Sequence, residues 1–294
     1  MVVINLLKQS KEAIILAVCA VMLSSCQEKT HFVKRHYYPS GELLSEVPYR
    51  IADSVKDGTY KDFYKNGQLK QVIQIKDGVP VDSALKYYET GELHYKEIRA
   101  KDSIYGIYFY KNGNMAAKNN FLDTDPPQQV GMSHIYSEEG NVKDSMGYVN
   151  IGGKSHLNTR YHHNDLGEVV LDSSYFYKFK ISRINNTDRY RLKIDYVPSM
   201  KEAQIAMVIG EDLAEDFSNL NNVRLDTIVM DGNSIVTDNL KKPNRRLKGF
   251  FYEYLSKVKD TVGKDSIKME IMEKKTFFNE NVKVSDTIDI SDKG

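Results

Sequence analysis

Phe63-Tyr64-Lys65-Asn66-Gly67-Gln68-Leu69 is the stretch whose reading decides the fold of this chain. Asn-Gly between aromatic and apolar residues is a strong hairpin signal. Both residues tolerate the positive φ that a two-residue type I′ turn demands. With Asn66-Gly67 as the loop, Lys65 pairs with Gln68 and Tyr64 faces Leu69. An aromatic–aliphatic pair of that kind contributes a few tenths to about 1 kcal/mol.

Outward from it, the stretch recurs. Tyr37-Tyr38-Pro39-Ser40-Gly41-Glu42-Leu43, Tyr87-Tyr88-Glu89-Thr90-Gly91-Glu92-Leu93 and Phe109-Tyr110-Lys111-Asn112-Gly113-Asn114-Met115 follow the same pattern. Two degenerate copies are Ile135-Tyr136-Ser137-Glu138-Glu139-Gly140-Asn141-Val142 and His162-His163-Asn164-Asp165-Leu166-Gly167-Glu168-Val169. Glycines 41, 67, 91, 113, 140 and 167 step by 26, 24, 22, 27 and 27 residues. A period in this range marks one supersecondary unit repeated along the chain. The same turn pairs Tyr38 with Leu43, Tyr88 with Leu93 and Tyr110 with Met115. The last two copies carry one more residue before the glycine. A three-residue loop absorbs it and pairs Tyr136 with Val142 and His163 with Val169.

Alternation along a strand puts Tyr38, Tyr64, Tyr88, Tyr110 and Tyr136 on one face, read here as the core face. The preceding residues, Tyr37, Phe63, Tyr87, Phe109 and Ile135, with His162 in the sixth copy, fall on the other. That second apolar row, set among polar residues, is a candidate binding surface for a protein or glycan. Packing on the C-terminal domain, or simple stiffening of the sheet, is the plainer account of the row. These units resemble the bacterial variant of the MORN repeat, seen in proteins labelled YwqK-family antitoxins. The resemblance rests on aromatic-Tyr-x-x-Gly-x-Leu and on connecting Asp-Gly pairs such as Asp57-Gly58 and Asp77-Gly78. It covers residues 33–170 and implies a twisted antiparallel meander of hairpins used as a scaffold.

Beyond residue 170 the repeat stops, and short strand-like runs continue across a C-terminal β-rich domain, 171–294. They are Tyr175–Ile181, Tyr190–Tyr196, Gln204–Ile209, Val223–Val229, Ser234–Thr237, Leu247–Tyr254 and Ile267–Met272. Seven short strands separated by turn residues suggest a sandwich, with Lys201–Ala206 or Glu211–Phe217 as a helical excursion. The fold class expected is all-β, a hairpin meander followed by a sandwich-like domain. Phe250-Phe251-Tyr252 suggests a strand buried on both faces, or one whose outer face meets the repeat sheet.

The N-terminus has its own logic. Lys8 and Lys11 precede the uncharged apolar run Ala13–Leu23, and Leu23-Ser24-Ser25-Cys26 resembles a lipoprotein lipobox. The run is about half the ~20 residues that a membrane-spanning helix needs. The expectation is a signal peptide over 1–25, acylation of Cys26, a tether over 26–32 and a lipid anchor in the cell envelope, at the outer membrane. Cleavage removes Lys8, Lys11 and Glu12 and takes the formal charge from +1 to zero. A neutral chain with mixed charges has no electrostatic case for nucleic acid. The one remaining cysteine, Cys26, allows no internal disulfide.

No catalytic constellation stands out, so no enzyme activity, cofactor or metal is expected. His162 and His163 are adjacent strand residues on opposite faces and no Cys, Asp or Glu cluster completes a site around them. An Asp-Ser/Thr-apolar triplet recurs at Ser54, Ser83, Ser103, Ser145, Thr227, Thr261, Ser266 and Thr287. The set resembles O-glycosylation sites of exported Bacteroidetes proteins, although Asp-Ser/Thr also simply opens strands after turns. Three functions remain open: an envelope lipoprotein binding a protein or glycan, an antitoxin or immunity protein, and, last, an envelope-polymer enzyme.

Overall fold

The computed structural model describes residues 30–184, 189–210, 212–241, 246–261, 267–281 and 285–288. They divide into two compact units, one ending at Gly91 and one beginning at Glu92. Residues 1–25, where a signal peptide is expected, and Cys26 lie outside the described residues.

The repeats form one antiparallel meander of twelve strands. Its members are β1 (His31–Tyr37), β2 (Leu43–Arg50), β3 (Gly58–Phe63), β4 (Leu69–Lys76), β5 (Val79–Tyr87), β6 (Leu93–Ala100), β7 (Ser103–Phe109), β8 (Met115–Leu122), β9 (Gln128–Gln129), β10 (Gly131–Tyr136), β11 (Val142–Ile151) and β12 (Lys154–His162). Hydrogen-bonded order follows chain order, save that β9 only flanks β8. Nearest-neighbour topology follows from short turns, which leave each strand beside its predecessor.

The turn itself differs from the two-residue reading. Tyr64 N–H donates to Gln68 O at 2.8 Å, and Gly67 N–H donates to Tyr64 O at 2.9 Å. The loop is therefore Lys65-Asn66-Gly67, with Gly67 left-handed at φ +83°. A three-residue loop with a left-handed glycine makes a bulge and shifts the register by one. Phe63 faces Leu69, Tyr37 faces Leu43 and Phe109 faces Met115. The tyrosine–aliphatic pairs expected at Tyr38, Tyr64 and Tyr110 do not form. Tyr136 does face Val142, and His163 does face Val169. Gly140 donates to Ser137 O, and Gly167 to Asn164 O, in the same pattern. All copies thus share one loop, and the extra residue of the last two vanishes once Ser137 and Asn164 are aligned with Tyr64.

At the far edge the connecting Asp-Gly pairs have a specific use in the first unit. Arg50 donates to Asp53, to Asp57 at 3.1 Å and to Asp77 at 2.6 Å, tying two turns together. The guanidinium beside Asp53 holds that carboxyl below its ordinary range.

The C-terminal region is two facing sheets. One contains β13 (Phe176–Ile184), β14 (Arg189–Val197), β17 (Ser234–Lys241) and β20 (Ser285–Ile288). The other contains β15 (Gln204–Ile209), β16 (Asp226–Val229), β18 (Arg246–Thr261) and β19 (Ile267–Asn281). All pairings are antiparallel except that of β13 with β20. Leu192, Ile194, Tyr196 and Ile235 pack against Ile205, Met207, Phe251 and Phe278 to form the core. Phe251 points inward, while its neighbour Phe250 joins Phe277, Leu213 and Phe217 on the outer face, against Val149 and Ile151 of β11. The aromatic run is thus buried on both sides. Neither suggested helical excursion forms: Gln204–Ile209 is strand, and in the second stretch no residue from Asp212 to Phe217 is helical. The helical segments among the described residues are two short 3-10 turns, Leu171–Ser173 and Leu220–Asn222.

Candidate binding surface on the repeat sheet

The second tyrosine of each motif has a function that spacing alone did not suggest. Tyr38 Oη donates to Phe63 O at 2.9 Å, Tyr64 Oη to Tyr87 O at 2.8 Å, and Tyr110 Oη to Tyr136 O at 2.8 Å. Each hydroxyl clips its own hairpin tip to the backbone of the next. Asparagine adds a second clip: Asn66 Nδ2 donates to Glu89 O, and Asn112 Nδ2 to Glu138 O. Asn66 Oδ1 also accepts from Gln68 N–H, which holds the loop. A lysine covers the rings of the first two, Lys65 over Tyr38 and Lys70 over Tyr64. These tyrosines are half-buried braces between tips rather than core residues.

The clips also fix which residues occupy equivalent places. Phe63, Tyr87 and Tyr136 each supply the accepting carbonyl. With Tyr37 and Phe109, which hold the same register position, they define the row. Ile135 is therefore not its fifth member. It pairs with Asp144, one residue out of step, and projects to the opposite face, where it is 37% exposed. Matching Tyr136 to Tyr64 and its counterparts displaces the row by one, whereas four residues back from each glycine stand Tyr37, Phe63, Tyr87, Phe109 and Tyr136. Tyr37 is 58% exposed, whereas Phe63, Tyr87 and Phe109 are half-buried.

The opposite face carries buried polar groups. In the first unit Tyr60 and Gln71 both donate to Asp62, Gln71 at 2.6 Å. Burial, with the Asp62 carboxylate beside it, pushes the Tyr60 hydroxyl up to about 12. In the second unit Tyr95 donates to Glu97 at 3.0 Å, and Arg99 pairs with Glu97 and Asp123. Farther on, Asp144 accepts from Arg160 at 2.7 Å and bonds His162 at 3.2 Å.

Residues 33–50 and 56–77 match the MORN repeat variant. The chain carries MORN-variant repeats. The match covers the first two hairpins, and the same tip hydrogen bonds run on to Gly167. No curated protein matches the chain.

Between the fifth and sixth tips lies a cleft of about 340 Å³. Ser137, Glu139, Asn141, Val142 and Lys143 line it from one tip, and Asn164 and Asp165 from the next. No group of three metal-ligating side chains occurs among the described residues.

The sandwich buries one carboxylate completely. Glu253, 0% exposed, accepts from Tyr196 Oη at 2.5 Å, from Ser199 Oγ and N–H, and from Met200 N–H. A fully bonded buried charge of this kind fixes a loop. Lys274 lies over the Tyr175 ring, and burial lowers its ammonium to about 8 against a weaker opposing pull from Glu253.

The Asp-Ser/Thr sites scatter. Ser54 and Thr227 are exposed, Ser83 and Ser103 half-buried. Ser145 is 8% exposed and bonds His134 at 3.0 Å, which leaves no room for a bulky sugar in the folded chain. Thr261 ends β18 and Thr287 lies in β20, while Ser266 is outside the described residues.

Proposed function

We propose that this is a non-catalytic, lipid-anchored envelope protein that captures a protein or glycan partner on its repeat sheet. The observation that carries the binding reading is the row at Tyr37, Phe63, Tyr87, Phe109 and Tyr136. Aromatic side chains held at one repeated register position, by backbone clips rather than by a core, form a partly open row within each unit, Tyr37, Phe63 and Tyr87 in the first and Phe109 and Tyr136 in the second. Rigid aromatics contribute large contact area at small entropic cost on association. The anchor reading rests on Lys8, Lys11, the run Ala13–Leu23 and Cys26. Several acyl chains on one cysteine would hold the protein far better than a single chain.

Two experiments test the parts separately. A palmitate analogue should label the wild type and not Cys26→Ala, and protease should shave the wild type from intact cells. An unlabelled wild type would return a cytosolic antitoxin to first place. Phe63→Ser combined with Phe109→Ser should abolish partner capture while thermal unfolding stays cooperative. Unchanged capture in that folded variant would end the platform reading.

A further inference from the structure

At the fifth tip both inter-repeat clips are missing. Ser137 holds the place of Tyr38, Tyr64 and Tyr110, since its N–H donates to Asn141 O and its carbonyl accepts from Gly140, as theirs do at their own tips. A hydroxymethyl cannot reach as a phenol does. Glu139 holds the place of Asn66 and Asn112, and a carboxylate has no N–H to donate to the next tip. The cleft of about 340 Å³ lies at this gap. Its size falls at the lower end of small-ligand pockets.

One neighbour of the Tyr64 ring at the second tip has its counterpart here. Lys143 is the unpaired bulge residue between Val142 and Asp144, as Lys70 is between Leu69 and Gln71. The Lys70 ammonium stands 5.8 Å from the Tyr64 ring centroid, so Lys143 is placed to cover a ring in the cleft. The Glu139 carboxylate accepts from Ser137 and the Asn164 side chain is held in its own loop by Leu166 and Glu168, so Asp165 and Asn141 supply the further polar edges of the cleft. We infer that the cleft takes the phenol side chain of a tyrosine presented by a partner polypeptide, in the place that the chain's own tyrosine fills at other tips. In that place the phenol O–H donates to His163 O, the counterpart of Phe63 O, Tyr87 O and Tyr136 O at the other tips, while the carboxylates of Glu139 and Asp165 repel a phosphorylated ring. This deepens the binding reading by naming one partner chemistry, yet it stands on the tips and not on the aromatic row, so the two fail separately.

The test is titration of N-acetyl-L-tyrosinamide into the isotopically labelled full chain, following the amide signals of Gly140 and Gly167. Saturable shifts are expected, with none from N-acetyl-L-alaninamide or methyl glucoside. Ser137→Tyr should abolish the shifts and raise Tm, because the chain then fills its own cleft. Lys143→Ala should weaken binding about two- to fivefold, the loss of one cation–π contact. Absent shifts, or equal shifts in Ser137→Tyr, overturn the inference. So does binding of the glucoside in place of the tyrosine amide, which reassigns the cleft to sugars. Should Ser137→Tyr not fold, unweakened binding by Lys143→Ala overturns it alone.

Discussion

Tyr64→Phe removes a single oxygen and with it the bond to Tyr87 O. The expected loss is about 1 kcal/mol, read as a lower urea midpoint at unchanged m-value. Asn66→Ala should behave alike, since its amide serves both its own loop and the next tip. Neither role was legible in the sequence. The motif marks Tyr64 as apolar and alternating, but a hydroxyl's acceptor depends on which strand lies alongside, and that is set by the bulge. Lys274 gives a pH prediction. Its folded value near 8 lies below the ordinary lysine value of 10.5, because burial penalises the ammonium. Between those values the unfolded chain binds more protons, so stability rises with pH. From pH 8 to about 9.5, below tyrosine ionisation, the urea midpoint of the wild type should climb. That climb should be missing in Lys274→Met. Equal slopes would show that Lys274 titrates normally.

At the scale of elements, glycines separate two kinds of constraint. Gly67 sits at φ +83° with nothing within 4 Å of an added Cβ, so Gly67→Ala meets only backbone strain, about 1 kcal/mol. Gly249, in β18, has Val208 O at 2.0 Å and the Phe278 ring at 2.6 Å from an added Cβ. Gly249→Ala must part β15 from β18 and should cost clearly more than Gly67→Ala in the same denaturation series. The hairpins themselves were readable because Asn-Gly and the spacing of aromatics are local signals. The loop length was not: Asn-Gly suits both the two-residue and the three-residue turn, and only the closing bond between Tyr64 and Gln68 decides. The strand Gln204–Ile209 was read with its true ends, because four consecutive residues, Ile205–Val208, are buried between neighbours on both faces. The strands β18 and β19 run past the expected ends at Tyr254 and Met272: charges interrupt the added part of β18, and Glu273-Lys274-Lys275 stands in β19 before the buried Thr276-Phe277-Phe278.

Over the second unit as a whole, the sandwich is held to the repeat sheet by a side chain imitating a strand. Asn158 Nδ2 donates to Phe277 O at 2.8 Å, while Phe277 N–H donates to Asn158 Oδ1 at 2.6 Å, both buried. Asn158→Leu strips two backbone groups of their partners and should cost roughly 2–4 kcal/mol in thermal or urea unfolding. Sequence could not show this, because the two residues are 119 apart. The fixed tip and the variable far edge have one more consequence. Within the second unit Gly113, Gly140 and Gly167 close identical loops, while the opposite connections range from the pair Gly152-Gly153 to the stretch between Leu122 and Gly131. One margin of that unit's sheet is therefore a ruler, its graduations two strand spacings apart, roughly 9.5 Å. The other margin is a free hem, where residues can be let in or taken out without moving a single graduation.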